Sequence, residues 1–94
     1  MAIINVPTGY SDSDFSTREA FTAHMKANVL TGLKAKLGRI TMDDVDGEGD
    51  QWIARMEVTK KDLREILTRI NLDHGAAEAV DPEVLEEVWE ACRD

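Results

Sequence analysis

The chain has 94 residues, of which 19 are acidic and 11 basic, so its formal net charge at pH 7 is −8. A length of this order forms one domain rather than two, and 43% apolar residues with only two prolines favour a folded chain. Such an excess of negative charge argues against general binding to nucleic acid or to anionic membranes, since both are polyanions. It favours a protein partner with a basic surface. We predict a single globular α+β domain over residues 1–94.

The N-terminal stretch Ala-Ile-Ile-Asn-Val, residues 2–6, ends at Pro7. It predicts either a short strand at the edge of a hairpin or an ordered arm. The stretch is far too short for a signal peptide or a membrane span. Cys92 is the single cysteine and allows no internal disulfide, which is typical of a reducing compartment. We therefore expect a cytoplasmic protein with no membrane partner.

A long first helix is predicted from about residue 17 to Leu37. Ser16-Thr17-Arg18-Glu19 fits a capping box with Ser16 as the N-cap, and Gly38 is a natural C-terminal stop. Thr31-Gly32 permits a kink or a break in the middle. The back of this helix carries small or uncharged residues, which either contact a second copy of the chain or reflect only the helix propensity of alanine. They are Ala20, Ala23, His24, Ala27, Asn28, Thr31 and Ala35.

A β-hairpin is predicted from Arg39 to Val58. Apolar and polar residues alternate on both sides of a Gly-rich acidic turn, as they do in half-buried strands. Because two strands alone are marginal in water, helices must cover the ribbon. The turn, which we call the acidic tip, spans residues 43–50 and contains no basic residue. Its five carboxylates are those of Asp43, Asp44, Asp46, Glu48 and Asp50.

The acidic tip partly matches an EF-hand calcium loop that begins at Asp44. Gly49 occupies the sixth position, where that loop needs glycine, but Arg55 occupies the twelfth, where a bidentate Glu should bind the ion. The sequence therefore predicts no metal at the tip. His24, His74 and Cys92 show no zinc-ligand spacing, and no phosphate loop or nucleophile motif is present. We expect no cofactor and no enzymatic activity.

Two C-terminal helices are predicted. Leu63, Ile66, Leu67 and Ile70 form the apolar stripe of the first, and Asp81-Pro82-Glu83 is a typical start for the second. In that last helix Val84, Leu85, Val88, Trp89 and Cys92 share the apolar side. The opposite side is an acidic row of four residues: Glu83, Glu86, Glu87 and Glu90.

The predicted core draws on every element from the first helix onward. Its members are Phe21, Met25, Leu30, Leu33, Leu37, Ile40, Met42, Trp52, Met56, Val58, Leu63, Ile66, Leu67, Ile70, Leu85, Val88 and Trp89.

Charge is segregated along the chain. Residues 18–39 hold five bases and one acid, whereas residues 73–94 hold eight acids and one base. This polarity predicts a non-enzymatic protein-interaction module whose tip and acidic row bind a basic protein surface. Its sharpest form is an inhibitor that mimics nucleic acid. Small phage and mobile-element proteins that block restriction or CRISPR complexes share this size and charge, an analogy of composition alone. The alternative is an assembly subunit that dimerises through the small-residue face of the first helix.

Overall fold

The computed structural model describes residues 1–45, 47–76 and 79–94 and contains a three-stranded antiparallel sheet and three helices. The predicted α+β class is confirmed. The central strand is the last of the three in sequence, in the order β1-β3-β2. The elements are β1 (Ala2–Pro7), α1 (Arg18–His24) continued by a π-helical segment (Met25–Val29), β2 (Lys36–Asp44), β3 (Asp50–Val58), α2 (Lys60–Asp73) and α3 (Pro82–Ala91).

The N-terminal stretch is a strand rather than an arm. It pairs antiparallel with β3, from Ala2 opposite Val58 to Pro7 opposite Ile53. Ile4 and Val6 are fully buried, because alternate side chains of a strand point to the same face. A third strand gives the hairpin the support that two strands lack.

The predicted hairpin is confirmed as β2 and β3, with Asp44 opposite Asp50 at its closed end. The alternation is confirmed in β3, where Trp52 and every second residue after it are buried. It is weaker in β2, where Thr41 and Met42 are both half-buried. The helices cover the buried face. On the opposite face, side chains such as those of Ile3, Ile53 and Arg55 are half-buried or exposed.

The long first helix was predicted wrongly. Its N-cap is Thr17 rather than Ser16, since the Thr17 hydroxyl accepts a hydrogen bond from the Ala20 amide at 3.1 Å. The helix and its π-helical continuation end at Val29. Gly32 then adopts a left-handed φ of +78°, which suits glycine and turns the chain away from the helix. Leu37, predicted as the last helical residue, lies in β2 opposite Met56.

Both predicted C-terminal helices are present, and each begins with a capping side chain. The Thr59 hydroxyl accepts from the Asp62 amide at 3.1 Å, and the Asp81 carboxylate accepts from the Glu83 amide at 2.9 Å. These side chains satisfy amide groups that have no partner inside the helix. No described helix is long and apolar enough to cross a membrane.

The C-terminal segment contacts the outer edge of β1. After α3, the Asn5 amide donates to the Cys92 carbonyl at 3.0 Å, and the Asp94 amide donates to the Ile3 carbonyl at 2.8 Å. These bonds occupy part of the edge that β1 would otherwise present to solvent. They also fix the end of α3 beside the middle of β1.

Most of the predicted core residues are buried. Leu33, Leu37, Met42, Val88 and Trp89 are only partly buried and pack against that core. The prediction also omitted several buried apolar residues, among them the inward side chains of β1. They are Ile4, Val6, Tyr10, Val29, Ala54 and Val80.

Candidate interaction surfaces and an internal tyrosine cluster

The acidic tip is the end of a two-stranded ribbon that extends beyond β1. The β1–β3 pairing stops at Pro7 opposite Ile53, whereas β2 and β3 stay paired as far as Asp44 opposite Asp50. Within the turn, the Asp44 carboxylate accepts from the Gly49 amide at 3.0 Å. Gly49 has a φ of +101°, a conformation open to glycine at little cost. Tip carboxylates therefore bind their own backbone at the closed end of the hairpin.

The structure describes four of the five predicted tip carboxylates. Asp43, Asp44, Glu48 and Asp50 are exposed, and none of them forms an ion pair with another described residue. Asp46, the fifth predicted carboxylate, lies outside the described residues. Partner binding at the tip stays a prediction.

Calcium titrated into the protein should show no saturable micromolar binding by calorimetry. Arg55 lies in β3 opposite Asn5 and forms an ion pair with Asp94, so it supplies a cation where a calcium loop needs its bidentate acid. The flanking strands also differ from the helices of an EF-hand. Saturable heat that disappears in an Asp44→Asn variant would contradict this prediction.

The predicted acidic row lies on the exposed side of α3, and all four of its glutamates are exposed. Glu86 forms an ion pair with Lys60, and Glu90 lies 3.7 Å from Arg93. Glu83 and Glu87 have no ion-pair partner within the described ranges. Half of the row is therefore paired inside the chain and half is available.

Val84 is not on the buried side of α3, where the sequence prediction placed it. Its side chain is 44% exposed, whereas the adjacent Leu85 is 9% exposed. Successive residues of a helix are about 100° apart, so a single buried residue leaves its neighbour outside. Val84 consequently lies among the glutamates, directly after Glu83 and one turn before Glu87.

The acidic tip lies away from the C-terminal end of α3 along the sheet. Ile4, which is bridged by Arg93 just after α3, is opposite Met56 in β3. Met56 is six residues along β3 from Asp50 at the tip. At about 3.3 Å per residue, these two positions on β3 are roughly 20 Å apart. The tip and the end of the acidic row are therefore not adjacent.

A basic hollow lies between α1 and β2, with a volume of about 460 Å³. Arg18, Lys26 and Arg39 line it together with Thr22 and no acidic residue. All three cations are exposed, and none forms an ion pair inside the described part of the chain. A chain with a net charge of −8 thus keeps three uncompensated cations around one depression.

A tyrosine cluster joins three elements that are far apart in sequence. The Tyr10 hydroxyl donates to the Asp73 carboxylate at the end of α2, and His24 Nε2 is 3.1 Å from the same carboxylate oxygen. Asn28 Nδ2 lies 3.2 Å from His24 Nδ1. His74 packs on the Tyr10 ring at a centroid distance of 4.5 Å. The two histidines, which are far apart in sequence, therefore meet around one buried tyrosine.

The chemistry of the cluster is that of a stable hydrogen-bonded contact. Burial and the Asp73 carboxylate raise the pKa of Tyr10, while the hydrogen bond from Tyr10 and the nearby His24 lower the pKa of Asp73. Both groups thus titrate further from neutrality than usual, the opposite of what general acid–base catalysis needs. Among the described residues no three His, Cys, Asp or Glu side chains are placed to hold a metal ion.

The small-residue face of the first helix is open to solvent along α1 and its π-helical continuation. Ala20, Ala23 and Ala27 are exposed, and His24 is half-buried in the tyrosine cluster. An exposed alanine stripe is compatible with a helix contact and equally with a solvated helix. Dimerisation through this face stays a prediction.

Comparisons of this chain with protein-family models, curated proteins and solved structures found no match.

Proposed function

We propose that this protein is a non-enzymatic interaction module whose acidic row on α3 binds a basic surface of a partner protein. In its sharpest form the partner is a nucleic-acid-binding protein, and the bound module blocks access of nucleic acid. The acidic tip is a second contact arm.

The exposure of Val84 between two unpaired carboxylates carries this proposal. Protein interfaces combine an apolar centre with a polar or charged rim, and complementary charge brings the partners together and selects between them. Val84 offers the apolar centre at 44% exposure. Glu83 and Glu87 offer charge that no described residue neutralises.

The paired half of the row also supports binding to a basic partner. The side chains of Glu86 and Glu90 are 56% and 63% exposed in their pairs with Lys60 and Arg93. Surface ion pairs of this kind contribute only about 0–1 kcal/mol. A partner with arginines or lysines can therefore replace the internal cations at little cost.

The distance between the two acidic surfaces fits a nucleic-acid groove. Asp50 at the tip and the position of β3 beside the end of α3 are roughly 20 Å apart, which is about six phosphate steps of a single strand at 3.4 Å each. A basic groove that tracks a nucleic-acid backbone could contact both surfaces at once.

Charge reversal on α3 should strongly weaken partner binding while preserving the fold. A partner captured from the native host is purified, and its affinity is measured for the wild type and for Glu83→Lys/Glu87→Lys. We expect a loss of roughly a hundredfold, because about 1–2 kcal/mol is lost at each reversed position. Wild-type binding should weaken with added salt and compete with the partner's nucleic acid.

The matched control is Asp12→Lys/Glu19→Lys. It changes the net charge by the same amount at exposed residues that precede or begin α1. This control should bind almost as tightly as the wild type at low salt. Equal affinity of the α3 variant and the wild type would refute the acidic-row mechanism. Equal losses of affinity in the α3 variant and the control would show that binding depends on net charge and not on the position of the glutamates.

A further inference from the structure

The outer edge of β2 is open. The edge of β1 is partly occupied by the C-terminal segment, whereas the described residues of β2 form backbone ladder bonds with β3 alone. A strand edge with unpaired amide and carbonyl groups is a template for pairing with another strand. The side chains along the edge decide which strand fits it.

The outer edge of β2 is complementary to the same edge of a second copy of the chain. In antiparallel pairing about Thr41, Arg39 of one copy lies opposite Asp43 of the other, and Ile40 lies opposite Met42. Thr41 lies opposite itself. Opposite-charge, apolar and Thr–Thr pairs across strands each stabilise a sheet. The segment Arg39-Ile40-Thr41-Met42-Asp43 is therefore self-complementary.

The pairing is also consistent with the two faces of the sheet. Residues directly opposite each other in an antiparallel pair point to the same face. Ile40 is 6% exposed, and Met42 packs partly against the core, so their pairs extend the apolar face. Arg39 and Asp43 line a depression on the other face together with Arg55, so the charged pairs lie there.

The same register explains the basic hollow. The hollow is lined along β2 by residues from Leu37 to Thr41, and across from it by Arg18 and Lys26. Pairing about Thr41 places Asp44 of the second copy opposite Gly38, one of the residues that line the hollow. Asp43 of the second copy lies on the other face, opposite Arg39. Each copy thus brings one carboxylate to the hollow of the other.

We propose that two copies of this chain pair through the outer edges of β2, about a two-fold axis at Thr41, to form a continuous six-stranded sheet. The β-bulge at Gly38 and Arg39, between Leu37 and Ile40, ends the regular pairing there and keeps the paired segment short. The dimer is consequently reversible and weakened by salt. It goes beyond the proposed function: it takes up Asp43 of the acidic tip but leaves both α3 surfaces free, and two linked sites bind a repeated partner more tightly than one.

A charge-swap experiment tests the dimer. Arg39→Asp gives a strand with acids at both paired positions, and Asp43→Arg gives one with bases at both. Each variant alone should associate at least tenfold more weakly than the wild type, since both symmetric pairs become repulsive. An equimolar mixture restores both pairs and should associate within a few-fold of the wild type. Sedimentation velocity measures the shift from 10.5 kDa to twice that mass.

Three controls distinguish pairing through this edge from association through another surface. Circular dichroism should show that both variants are folded. Glu83→Lys/Glu87→Lys should dimerise like the wild type, so the dimer is tested independently of the α3 proposal. A wild type that stays monomeric across the concentration range would overturn the dimer. So would a dimer that Ala23→Glu disrupts and Arg39→Asp does not, because it would use the small-residue face. Saturable binding of inorganic phosphate in the hollow of a monomeric protein would overturn it as well.

Discussion

Phe21→Ala should lower the free energy of unfolding by about 3–5 kcal/mol, the largest effect of any single substitution that we expect in this chain. Phe21 is fully buried. Its ring stacks on Trp52 at a centroid distance of 5.5 Å and meets Tyr10 edge-on at 6.1 Å. The substitution therefore removes burial, aromatic contacts and the support that α1 gives to β3.

Urea denaturation followed by tryptophan fluorescence and circular dichroism measures this loss. A domain of this size has a total stability of about 5–14 kcal/mol, so the variant should be marginal. Val84→Ala is the matched control, because it truncates an exposed side chain and should change the free energy of unfolding by about 0.5 kcal/mol or less. A loss below about 1.5 kcal/mol for Phe21→Ala would show that this aromatic group does not hold α1 on the sheet.

The elements that were predictable are those whose local pattern agrees with their final environment. In β3, Trp52 and the alternate residues that follow are buried because one face of the strand meets the helices. In α2 the stripe that begins at Leu63 is buried at helical spacing. The N-caps of α2 and α3, Thr59 and Asp81, bind amides within three residues along the chain and can therefore be recognised in the sequence.

The first helix shows where a local pattern fails. Leu33 and Leu37 continue the helical spacing of Phe21 and Met25, yet the chain leaves the helix after Val29. The Thr31 hydroxyl donates to the carbonyls of Lys26 and Ala27, which uses acceptors at the end of the helix. Pairing of β2 with β3 then decides the conformation of Leu37. This contact is between residues distant in sequence, and helix propensity is too weak to oppose it.

The candidate sites also differ in how far the sequence alone could locate them. The acidic tip could be located from its glycines and carboxylates because a turn is a local structure. The distance between the tip and α3 depends on the strand order, which the sequence left open. The tyrosine cluster is harder still to predict from the sequence, since its hydrogen bond joins Tyr10 to Asp73 across 63 positions of sequence. The aromatic residues within the acidic loop before α1 were its only signal in the sequence.

Tyr10→Phe should lower the free energy of unfolding by about 1–2 kcal/mol at neutral pH. Its hydroxyl belongs to a residue that is 4% exposed and donates to a charged carboxylate, and hydrogen bonds to charged groups contribute more than neutral ones. Asp73 is half exposed, so solvent screens the interaction and places the expected loss at the lower end of the range.

The pH dependence of this loss identifies its cause. The hydrogen bond from Tyr10 and the charge of His24 lower the pKa of Asp73 from 3.8, with His74 contributing further. That stability is present above the ordinary value and is lost as the pH falls through the lower, folded-state pKa. Burial and Asp73 raise the pKa of Tyr10 above 10.0, with a contribution from Asp14. The stability from this group is present below pH 10.0 and is lost as the pH rises through the folded-state pKa.

Urea unfolding of three proteins across the pH range separates these two contributions. The wild type should lose stability in both the acidic and the alkaline pH range. The unfolding free energy of Tyr10→Phe should depend less on pH in each of these ranges. Asp73→Asn keeps a carbonyl acceptor for the Tyr10 hydroxyl but cannot titrate, so it should lose the acidic dependence and retain most of the alkaline one, since burial is the larger cause of the Tyr10 shift. If Tyr10→Phe follows the wild-type profile below pH 3.8 and above pH 10.0, the hydrogen bond between Tyr10 and Asp73 does not stabilise the junction of the N-terminal loop with α2.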